Sequence, residues 1–249
     1  MKLSSNTTLR TRHSNRPVNL SGVFVDDVGN IKGLTVIRVL PRAAPMDESE
    51  PEITPVFLEA EERIGLMDPF WWQHPENVSM DVFPNGGAMT CTFTLDNDLE
   101  LDDSSWHREN AKIARRDSYL EKPVQLADGK TIGKIINETN YLSLGELSMY
   151  PLLKLQRSNS DRANEKGPRN GAMVFAQDGG MIGIIVAMFG DGEYYSVAPI
   201  ADVMEWHKLR FLDQAVTSEI GGSREEFTPA TAINRQIICS PGLLRLLEG

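Results

Sequence analysis

From residue 20 onward the chain alternates short runs of β-branched and aromatic residues with clusters of Gly, Asn, Asp and Pro. That is the pattern of many short strands joined by turns. Residues 20–25 read as a strand, residues 26–30 (Asp-Asp-Val-Gly-Asn) as a turn, and residues 34–40 as the returning strand of a hairpin. Residues 41–55 are rich in Pro and acid and read as a surface loop. Residues 56–65 fit a strand or a short helix equally well. Residues 78–83 and 88–94 alternate as strands, joined through Pro84, Asn85, Gly86 and Gly87. In the second half, residues 130–136, 152–156, 172–176, 181–189 and 193–198 read as strands, with turns at 177–180 and 190–192 and a polar loop over 158–169. Pro199 then opens a helix whose Ile200, Val203, Met204, His207 and Phe211 recur on one face. Many short strands followed by a late helix predict an all-β barrel or sandwich architecture.

Composition narrows the function classes. The 249 residues allow one large domain or two small ones. A net charge of −10 argues against a phosphate-tracking groove, so nucleic acid is not an expected partner. Cys91 and Cys239 lie far apart and do not make a disulfide framework, and the four histidines are scattered without metal-ligand spacing, so neither a metal nor another cofactor is expected. No apolar leader follows the first positive charges, and the longest apolar run, 181–189, is too short to cross a bilayer. A cytoplasmic protein that does not act in a membrane is expected. The Asn-X-Ser/Thr sequons at Asn6, Asn19, Asn77 and Asn137 are then chance matches. Residues 1–17 read as a mobile arm or an edge extension, and 221–249 as a tail.

One stretch carries a family resemblance. Residues 167–186, from Gly167 through Asn170, Gly171 and the turn at Gly179-Gly180, followed by Tyr195-Ser-Val-Ala-Pro199, resemble the nucleophile region of trypsin-like (chymotrypsin-fold) serine proteases. Residues 21–26 with 35–39 resemble the first hairpin of that fold. The resemblance implies two six-stranded-type β-barrels with a C-terminal helix: an N-terminal barrel over about 18–95, a linker over about 96–122 that holds the charge block, and a C-terminal barrel with helix over about 123–220.

The same resemblance locates a triad, which needs a hydroxyl or thiol nucleophile, an imidazole and a carboxylate. Laying Asn170-Gly-Ala-Met-Val174 on the family's Ser-Gly-Gly-Pro-Val puts Asn170 at the nucleophile and Arg169 at the preceding acid. The histidine position falls near Arg38 or Val39, and the carboxylate position at Asp81, with Asp68 competing. A carboxamide does not attack a carbonyl in this role, and Arg38 does not act as a general base near neutral pH. The implied reading is a degenerate, catalytically inactive homologue that binds a protein or peptide, with binding residues Arg169, Gly171 and the adjacent Trp71 and Trp72. The turn at 167–171 retains backbone N–H groups able to meet an anion or a C-terminal carboxylate. Two alternatives stay open. One is an active serine-type endopeptidase using His74, Asp81 or Asp98, and Ser158 or Ser160; the other is a structural β protein.

Overall fold

The first half of the chain builds an antiparallel sheet in which residues with stiff, branched side chains alternate across a shared core. The computed structural model describes residues 2–4, 7–11, 14–36, 55–58, 63–67, 90–96, 100–101, 112–143, 149–163 and 170–212. All of them belong to the unit spanning residues 1–212; residues 213–249 form a second unit outside the described residues. The strands of the first half are β1 (Lys2–Leu3), β2 (Thr8–Thr11), β3 (Ser14–Asn19), β4 (Gly22–Val25), β5 (Ile31–Val36), β6 (Pro55–Leu58), β7 (Arg63–Met67), β8 (Thr90–Leu95) and β9 (Glu100–Leu101). Seven of them pair in the order β3-β2-β6-β7-β8-β5-β4, while β1 lies parallel to β9.

The hairpin at 20–36 forms around Asp26. Its Oδ1 accepts from Val28 N and Asn30 N, and Gly29 takes the left-handed φ of 93° that closes the turn. The stretch 56–65, open between strand and helix in the sequence, contributes to strands at its two ends, where β6 and β7 pair antiparallel. The N-terminal stretch is an edge extension rather than a mobile arm, because β2 and β3 pair and Leu3, Leu9 and Val18 are buried. Apolar residues so widely spaced leave little period to read, yet each fills one core position. Gly33 serves packing: a Cβ there would stand 2.3 Å from the Phe93 ring, which occupies the space above β5.

The second half closes on itself. Helix α1 (Arg116–Tyr119) leads into β10 (Pro123–Gln125), β11 (Thr131–Ser143) and β12 (Met149–Arg157). Helix α2 (Asn159–Arg162), β13 (Met173–Ala176), β14 (Met181–Phe189), β15 (Tyr194–Pro199) and α3 (Ile200–Trp206) follow. The six strands form a closed barrel in the order β10-β11-β12-β15-β14-β13. Val124, Ile132, Ile135, Leu155, Val174, Ile185 and Val197 fill it. The unbroken apolar run of β14 is explained by burial on both faces: Ile182 and Ile185 point into the barrel, while Ile184 and Val186 join Phe24, Leu34, Phe93 and Leu152 in a core that spans both halves. Each such side chain contributes about 1.5–3 kcal/mol when fully buried.

Helix α3 is shorter than its apolar spacing predicts. It ends at Trp206, Lys208 takes a positive φ of 53°, and the chain turns into an extended strap. Arg210 exchanges two backbone hydrogen bonds with Val25 on the outer edge of β4 (3.0 and 2.7 Å), Leu209 is buried, and Phe211 packs against Phe24. Phe211 thus reaches the core from the strap rather than from the helix face. Among the described residues, no helix is long and apolar enough to cross a membrane.

Candidate functional site

Asn170 and Gly171 form the turn that enters β13. The Asn170 carbonyl accepts from Asn19 N at 2.9 Å, and Gly171 N donates to the Ile185 carbonyl at 2.8 Å. Gly171 has φ 94°, and a Cβ on it would lie 2.3 Å from the Asn19 carbonyl oxygen. Only glycine satisfies both the dihedral and the contact. The Asn19 carbonyl in turn accepts from Thr35 Oγ1 at 3.0 Å. Asn19 therefore meets the Asn170 turn through its N–H and the end of β5 through its carbonyl. Among the described residues, neither the Asn170 N–H nor its carboxamide has a hydrogen-bond partner, and the side chain is half-buried. Replacing the buried Thr35 with Val keeps shape and volume but deletes the bond to Asn19. It is expected to cost about 1 kcal/mol in chemical denaturation and to quicken amide exchange at Asn19.

A second polar centre lies at the end of β12. Asp161, fully buried, receives Arg157 Nε at 2.6 Å and the Tyr195 hydroxyl at 3.1 Å on Oδ2. Its Oδ1 has no hydrogen bond, and Lys130 Nζ stands 3.5 Å away as an ion-pair partner. Arg157 also donates to the carbonyls of Asp161 (2.9 Å) and Gly192 (2.7 Å) and lies over the Tyr195 ring. Burial, reinforced by the adjoining Asp161 carboxylate, holds the Tyr195 hydroxyl far above the ordinary tyrosine range. Arg162 pairs with Glu193, so this network ties α2 to the β14–β15 turn.

Of the residues singled out in the sequence, Asn170 and Gly171 are placed at one turn. Arg38, Asp81, Arg169, Trp71 and Trp72 lie outside the described residues, as do Val39, Asp68, His74 and Asp98. Ser158, the alternative nucleophile, is the N-cap of α2: its Oγ accepts from Asp161 N and lies 3.0 Å from Ser160 Oγ. The polar loop expected over 158–169 thus begins with a capped helical turn. His207 is bonded to Thr90 across the two halves at 2.9 Å. Among the described residues, no group of three or more His, Cys, Asp or Glu side chains is placed to hold a metal ion. Sequence reading missed Asn19, whose part is played by its backbone alone, and the Arg157–Asp161–Tyr195 network. The available signal for the network was an Arg and an Asp four residues apart around a serine cap.

No protein-family model matches the chain, and no curated protein matches its sequence. Solved structures do resemble it. Protease A of Thermobifida fusca has a TM-score of 0.52 at 11% identity, covering 85% of this chain and 99% of that one. A Nocardiopsis protease also scores 0.52 at 11% identity, covering 86% and 100%. A glutamic acid-specific serine protease described as using a histidine triad in substrate binding scores 0.52 at 8% identity, covering 84% and 100%. The likeness establishes the fold: the chain has the all-β, double-barrel architecture of trypsin-like (chymotrypsin-fold) serine proteases, with a helix after the last strand.

Proposed function

We propose that this chain is a non-catalytic protein of trypsin-like fold that binds a polypeptide through the Asn170 turn. The observation that carries the reading is Asn170 itself. Its carbonyl is bonded to Asn19, the following glycine is bonded to β14, and its carboxamide stands where the resemblance places a nucleophile. A carboxamide offers a donor and an acceptor but no oxygen able to form an acyl intermediate. At the histidine position the sequence supplies Arg38, a permanent cation, and Arg169 precedes Asn170. Both favour an anionic group over a scissile amide.

In this reading an extended peptide adds as a strand beside the Asn170 turn, and the Asn170 N–H and carboxamide meet a carboxylate, in the first instance a peptide C-terminus. The Trp71 and Trp72 pair supplies an aromatic anchor. The test uses the full chain with a fluorophosphonate probe and two sets of peptides, one with free and one with amidated C-termini. No labelling, no cleavage, and binding confined to the free C-termini are expected. Serine labelling would establish the active-peptidase alternative instead, and hydrolysis that disappears in Asn170→Ala would overturn the non-catalytic reading; equal binding of both peptide sets would remove the carboxylate from the reading.

A further inference from the structure

Met188 stands near the end of β14 with its side chain 56% exposed, whereas Met173, Met181 and Met204 are 4%, 9% and 9% exposed. A thioether is oxidised through its sulfur lone pair, so access to solvent sets which methionine reacts first. The Met188 sulfur also has an unusual neighbour. Arg157 Nη1 lies 3.5 Å from it while donating to the Gly192 carbonyl at 2.7 Å, and the Arg157 Nε and Nη2 atoms are committed to Asp161. One N–H of a fully charged guanidinium therefore faces a weak acceptor.

We propose that Met188 is a methionine-oxidation site built against Arg157, in which the guanidinium receives the oxygen of the sulfoxide. A hydroperoxide supplies the oxygen. Its O–O bond breaks as the S–O bond forms, the sulfur gives up two electrons, and hydrogen peroxide leaves as water. An oxygen added on the Arg157 side of the sulfur falls within hydrogen-bond reach of Nη1, turning a weak contact into a charge-assisted one. The bond acts on the neighbouring turn, because Arg157 already holds Gly192 through Nη1 and Glu193 through its backbone N–H at 3.0 Å. Oxidation at this position tightens the β14–β15 turn against β12, where oxidation of a buried methionine would break the core.

The test treats the folded full-length chain with dilute hydrogen peroxide, followed by peptide mapping and hydrogen exchange. Met188 is expected to oxidise about tenfold or more faster than Met173, Met181 and Met204. Exchange over residues 190–194 is expected to slow about twofold or more once Met188 is converted. Met188→Leu should show no slowing under peroxide. Met188→Gln places an amide oxygen near the position of the sulfoxide oxygen and should slow exchange without peroxide. Equal oxidation of a buried methionine, or unchanged exchange over 190–194 after Met188 is converted, would overturn the proposal.

Discussion

Replacing Arg157 with Met is expected to destabilise the fold by about 3–5 kcal/mol, because it leaves the fully buried Asp161 carboxylate without its main counter-charge. The remaining partners are poor substitutes. The Tyr195 hydroxyl is neutral, and Lys130 Nζ lies 3.5 Å from Oδ1 without a hydrogen bond. The same substitution frees the Gly192 and Asp161 carbonyls and leaves Arg162–Glu193 as the side-chain tie between α2 and the β14–β15 turn. Tyr195→Phe removes one bond to Asp161 but keeps the ring and the ion pair, so its cost should stay near 1 kcal/mol. Denaturant titration of both variants checks the ordering. A cost for Arg157→Met no larger than that for Tyr195→Phe would mean that water or another cation already reaches Asp161.

The second large effect belongs to Gly171→Ala. An alanine there must hold a φ of 94° and place its Cβ 2.3 Å from the Asn19 carbonyl oxygen. The dihedral alone costs about 1–2 kcal/mol, and relieving the overlap by backbone movement costs about 1–3 kcal/mol more. The movement open to the chain separates the Asn170 turn from Asn19, lengthening the 2.9 Å bond that joins them. The expected outcome is a loss of roughly 2–5 kcal/mol in denaturation, with amide exchange quickening first at Asn19 and Gly171. A fully stable variant with an intact Asn19 amide would show that the turn is not held by this contact.

Much of the fold was legible because its signals are local. Asp26, Gly29 and Asn30 announce the first hairpin, and the apolar run from Met181 announces a strand. Side-chain chemistry is likewise local: the carboxamide of Asn170 and the guanidinium of Arg38 are given by residue type alone. Features that depend on distant partners were not readable. Leu3, Leu9 and Val18 stand among polar residues, and their burial comes from strands far along the chain. Asp161 looks like a solvated loop acid until Tyr195 and Lys130 close over it. Phe211 matches a helical spacing by coincidence, because periodicity cannot show that the chain leaves the helix at Trp206.

The strap at Arg210 also governs the order in which the molecule can be completed. Strand β4 is synthesised well before the strap, and the backbone groups of Val25 find these partners only when Arg210 has been made. At typical rates of synthesis the interval is roughly 10–40 s. Throughout it the nascent first sheet carries an uncovered edge, the kind of template on which chains add to one another. Slower synthesis between residues 25 and 210 therefore lengthens the time for which that edge is open to pairing with another chain.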